Sequence, residues 1–69
     1  MQSHYQQGEQ HYVKKEYQKA IDCYTHSIEK NEDLLRATFH RGIAYASLKQ
    51  WTLAKEDFEA ALCFAMTPN

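Results

Sequence analysis

The chain has 69 residues, 43% of them hydrophobic and 25% charged, with a formal net charge of −1. That length allows one domain and leaves no room for a deep active site beside a core. Charges of both signs are mixed along the chain, which gives no basic footprint for nucleic acid; no apolar run approaches the ~20 residues that span a bilayer; and the polar opening MQSHYQQGEQ predicts no secretory leader.

Apolar and small residues recur at intervals of three and four, the helical period, and divide the chain into four helices. The first is expected at about 3–14, opened by a capping box of Ser3 and Gln6. The second runs over about 17–30, with Tyr17, Ala20, Ile21, Tyr24 and Ile28 as its apolar stripe. The third takes about 34–48, with Asp33 as its expected N-cap or early acidic residue. The fourth takes about 51–65, with Trp51, Ala54, Phe58, Ala61 and Leu62 as its stripe and Thr67-Pro68 as its stop. Short turns at Lys15-Glu16 and Lys49-Gln50 make each pair of helices antiparallel.

Residues 1–34 and 35–68 are two copies of one pattern. Gly8 answers to Gly42, Lys15 to Lys49, Tyr17 to Trp51, Ala20 to Ala54, Tyr24 to Phe58, Ser27 to Ala61 and Ile28 to Leu62. Size class is kept better than identity, as helix packing requires: small residues stand where two helices approach, and rings fill the wider gaps. A 34-residue period of this kind is the mark of a helix–turn–helix solenoid unit. The stretches GEQHYVKKEYQKAIDCYTHSIEKN and FHRGIAYASLKQWTLAKEDFEAAL resemble the tetratricopeptide repeat family. The resemblance implies an all-α fold, a right-handed α-solenoid fragment of two helix–turn–helix repeats forming one domain over 1–69. The first copy departs from the family pattern with Ser27 where Ala is usual and Lys15-Glu16 where Gly-Asp often makes the inner turn.

Candidate chemistry is sparse. His4, His11, His26 and His40 include no pair at the i, i+4 spacing of a helical metal site; His4 and His11 stand about 10 Å apart along a helix. Asp22, Glu29, Glu56, Asp57 and Glu59 alternate with core positions and read as a solvated outer face. Cys23 and Cys63, each among apolar neighbours, read as small buried hydrophobes in a reducing, cytoplasmic compartment. No Gly-rich phosphate loop or catalytic constellation is present, so neither a cofactor nor an enzyme activity is expected. Tyr17, Tyr24, Tyr45, Trp51 and Phe58 are expected in the core.

In the resembled family the first helix of each unit lines a concave groove that holds a segment of a partner protein. The resemblance implies a non-enzymatic scaffold with Gln2, Tyr5, Gln6, Glu9, Tyr12 and Val13 on the first groove helix. Arg36, Phe39, His40, Ile43, Ala46 and Ser47 line the second. Of these, Tyr5, Gln6, Glu9, Tyr12, Arg36, Phe39, His40 and Ile43 are the expected peptide-binding residues, the apolar ones as anchors. Arg36 and His40, one turn apart, point to an acidic partner segment. The co-chaperone clamp for chaperone tails fits poorly, since Tyr5, Glu9 and His40 occupy its Lys and Asn positions; as a second-and-third pair it is partly matched by Gln6, Arg36 and His40. The alternative reading is a structural repeat unit from a longer array, self-associating through its last helix, where Leu53, Phe64 and Met66 would lie uncovered.

Overall fold

The computed structural model describes residues 2–66. Four α-helices follow one another: α1 His4–Val13, α2 Tyr17–Glu29, α3 Leu34–Ser47 and α4 Trp51–Met66. Each lies within a residue or so of its expected span, and the expected Thr67-Pro68 stop falls outside the described residues.

Local chemistry sets the helix ends. Ser3 caps α1: its hydroxyl accepts from the Gln6 N–H at 3.2 Å, and the Gln6 side chain accepts from the Ser3 N–H at 3.0 Å. Three helices end the same way. Glu16 N–H reaches back to the His11 carbonyl, Glu32 N–H to Ser27 and Gln50 N–H to Tyr45, while Lys15, Asn31 and Lys49 close the inner bond of each turn. These are Schellman terminations, and they require a left-handed residue just past the helix. Lys15, Asn31 and Lys49 supply it with φ of 63°, 58° and 61°. Asp33 holds the N-cap position of α3, but with a left-handed backbone and no capping bond. Its carboxylate instead accepts from Arg36 Nη2 at 2.9 Å, so the expected capping role is corrected to an ion pair.

The helices pack in sequence, α1 on α2, α2 on α3 and α3 on α4. The body measures 34 × 32 × 16 Å; its thin dimension is two helix layers at ordinary packing distance. Gly8 and Gly42 permit the closest approaches. A Cβ on Gly8 would stand 2.6 Å from Tyr24 Cε1, and one on Gly42 would stand 2.8 Å from Phe58 Cε1. The core gathers Tyr5, Ala20, Tyr24 and Ala37, with Tyr12 and Ile28 packed against it. Ser27, where the family pattern has Ala, is fully buried and donates its hydroxyl to the Glu32 carbonyl, tying α2 to the turn that follows.

Several expectations are corrected. Trp51 is 63% exposed, because the face of α4 equivalent to the one α3 covers on α2 has no helix over it among the described residues, and Tyr17, at the start of α2, is only half-buried. Cys63 is exposed and Cys23 half-buried, with burial pushing the Cys23 thiol pKa up. Asp57 is not on a solvated face: it is 6% exposed. Arg41 Nε and Nη2 donate to its two carboxylate oxygens at 2.8 and 2.7 Å, and Arg41 Nη1 donates to Thr25 Oγ1 at 3.2 Å. This fork joins α2, α3 and α4, and hydrogen bonding to Asp57 raises the guanidinium's pKa further. Burial of a charge is tolerated here because the pairing is bidentate.

Candidate functional site

Among the expected groove residues, Glu9, Tyr12, His40 and Ile43 come together, with Val13 and Tyr24, around a cleft of about 150 Å³ between α1 and α3. Tyr24 is the residue that helical spacing alone missed: it belongs to α2, yet its ring reaches between the groove helices to form part of the cleft wall. Only its large size at a core position hinted at that reach. Tyr12 turns its ring edge to Tyr17, centroids 5.4 Å apart. Val13 is largely exposed at the lip.

The remaining expected residues stand differently. Tyr5 is 5% exposed and belongs to the core, so its ring is not a groove anchor. Its hydroxyl, however, organises the polar end of the cleft. The Tyr5 O–H donates to Glu9 Oε2 at 3.1 Å, and His40 Nδ1 lies 3.0 Å from the Tyr5 hydroxyl oxygen. The Tyr5 and His40 rings stack with centroids 5.6 Å apart. Burial, reinforced by the hydrogen bond to Glu9, raises the Tyr5 phenol pKa, and burial raises that of Tyr24. Phe39 does not line the cleft; it packs on Phe58, centroids 5.5 Å apart. Gln6 lies in a neighbouring shallow depression with Gln2, Glu9, Gln10 and Val13, and its side chain is engaged in capping α1.

Arg36 is the expected cation of the groove. Its guanidinium lies over the Tyr5 ring, 5.3 Å from the centroid, and is paired with Asp33. The hydrogen bond to Asp33 raises its pKa. Much of its positive charge is thus matched within the chain.

Elsewhere, Glu32 accepts from the His4 N–H at 3.1 Å and from His4 Nδ1 at 3.3 Å, which closes the start of α1 onto the turn after α2. His11 Nδ1 donates to Glu16 at 2.7 Å and holds that carboxyl below its ordinary pKa. No group of three or more metal-ligating side chains among the described residues is arranged to hold an ion. No helix among the described residues is long and apolar enough to cross a membrane.

A second apolar depression lies at the far end of the fold, lined by Ala46, Trp51, Ala54, Phe58 and Leu62 with Lys55 and Glu59. Leu53, Leu62, Phe64 and Met66 are exposed on the same helix.

The family model described as tetratricopeptide repeat matches residues 2–34. No curated protein and no solved structure matches the chain.

Proposed function

The chain belongs to the tetratricopeptide repeat family through residues 2–34, and on that premise we propose that it is a protein-binding module whose occupied surface is the α1–α3 cleft. The family is a protein-interaction repeat. Residues 1–34 and 35–68 act as one domain, with no catalysis, in a reducing cytoplasmic setting. The observation that carries the reading is the cleft itself. Tyr12, Val13 and Ile43 offer apolar contact beside two polar groups, Glu9 and His40, held in place by the Tyr5 hydroxyl. Apolar walls with a few oriented polar groups are what a partner side chain needs for affinity and register. The acidic partner expected from Arg36 and His40 loses support, because Arg36 is paired with Asp33 and Glu9 stands in the cleft.

The test is to select peptides on the full chain from a random display library and map the selected peptide by amide shift perturbation. Shifts centred on Glu9, Tyr12, His40 and Ile43 support the reading; shifts confined to α2 and α4 contradict it.

A second reading rests on the depression along α4. Lys55 and Glu59 are one turn apart on its edge. A two-fold axis between them would set Lys55 against Glu59 of a second copy, twice over, across the apolar stripe of Trp51, Phe58 and Leu62. Sedimentation across a hundredfold concentration range should show a monomer–dimer equilibrium that Leu62→Lys abolishes. A monomer throughout the range rejects this reading.

A further inference from the structure

The polar end of the cleft has a defined sense of hydrogen bonding. A carboxylate only accepts, so the single Tyr5 hydroxyl proton goes to Glu9 Oε2. The Tyr5 oxygen must then accept from His40, which places the neutral imidazole's proton on Nδ1, the nitrogen 3.0 Å away. Nε2 is left as a bare lone pair. The Tyr5–Glu9–His40 end of the cleft therefore presents two acceptors, the rest of the Glu9 carboxylate and His40 Nε2, while the Tyr5 hydroxyl proton is already given to Glu9. Arg36 is not among the residues lining the cleft, and it is paired with Asp33. Apolar walls of Tyr12, Val13 and Ile43 lie alongside.

Resting on the groove reading above, we propose that the cleft selects a partner segment in which an apolar side chain is followed directly by a cationic one, arginine above all. The apolar side chain enters between Tyr12 and Ile43, and the guanidinium donates to Glu9 and to His40 Nε2. Arginine suits this better than lysine because its planar fork carries several donors at fixed angles. A partner with a carboxylate at that position meets Glu9 with like charge. The charged and titratable groups around His40 are Tyr5 and Glu9 from α1, Tyr24 from α2, and Arg36 from its own helix, whose charge is matched by Asp33.

The experiment titrates the isotope-labelled full chain with three capped dipeptides, leucyl-arginine amide, leucyl-glutamine amide and leucyl-glutamate amide, following the amides of Glu9, Tyr12, His40 and Ile43. At pH 7.5 the arginine peptide should bind roughly two- to fivefold tighter than the glutamine peptide, the range of a solvent-accessible ion pair. The glutamate peptide should bind more weakly than either. Glu9→Gln, which keeps an acceptor for the Tyr5 hydroxyl, should remove the arginine preference; a preference that persists in this variant overturns the role given to Glu9. Cleft shifts with equal or tighter binding of the glutamate peptide overturn the cation selection and leave the groove standing. Absence of cleft shifts with all three peptides overturns the groove reading and the selection together.

Discussion

Lys15 and Lys49, one repeat apart, share a left-handed backbone, with φ of 63° and 61°. Both lie at the residue where a Schellman turn needs that conformation, and neither side chain helps to adopt it. An L-residue in this region costs about 1–2 kcal/mol, part of which glycine gives back as extra freedom in the unfolded chain. Lys15→Gly and Lys49→Gly should each stabilise the fold by about 0.5–1 kcal/mol. Denaturant midpoints at constant slope test this; a loss of stability in both variants would show that the lysines are held for a contact the backbone argument omits.

The two close-approach glycines should behave unequally. Replacing a mid-helix Gly by Ala gains about 1 kcal/mol of helix propensity, while overpacking costs about 1–3 kcal/mol. At Gly8 the new Cβ meets Tyr24, which is 1% exposed and locked in the core. At Gly42 it meets Phe58, which is only half-buried and can give way, with the Asp57 Cβ behind it at 3.1 Å. Gly8→Ala should therefore lower the melting temperature clearly, and Gly42→Ala should come closer to neutral. The reverse order would mean that the second repeat is the more tightly packed one.

The Arg41–Asp57 fork is expected to be costly to break and cheap to replace. Asp57→Ala leaves a half-buried guanidinium unmatched and should cost about 3 kcal/mol or more. Arg41→Met with Asp57→Leu removes both charges and should recover most of that loss. Stability of the two single variants and the double variant, measured as a thermodynamic cycle, checks the coupling. Simple additivity would reduce the fork to a surface pair.

Alkaline pH should weaken the fold through its phenols. Tyr5 and Tyr24 have pKa values raised above the ordinary 10.0, in both cases first by burial. Their contribution is complete below about pH 10, where the unfolded phenols are also protonated, and fades above it as the unfolded chain alone gives up those protons. Tyr24→Phe should make the fall in stability above pH 10 shallower. An unchanged slope would contradict the assigned burial effect.

The repeat, four helices, capping box and close-packed small residues were all legible, because each is a spacing or size pattern within one helix. What escaped was set by meetings between helices. Nothing in the spacing of Arg41 and Asp57 announces that they face one another across α3 and α4. Nor does Tyr5 announce that its ring would be buried while its hydroxyl serves the cleft. Trp51 reads as core from its match to Tyr17, but it is exposed because burial at that position depends on a following helix. Of the expected groove, Glu9, Tyr12, His40 and Ile43 share one cleft, while Arg36 and Phe39 are taken up by Asp33 and Phe58.

The most direct measurement of whether α1 and α3 form the binding surface is the affinity of one display-selected peptide for three chains: native, Ile43→Lys in the cleft, and Leu62→Lys on α4. Ile43→Lys should lose about tenfold or more in affinity, as expected for an anchor contact, with native affinity kept by Leu62→Lys and helicity unchanged in both. Loss of binding in Leu62→Lys with Ile43→Lys unaffected would place the partner on α4 and contradict the groove reading.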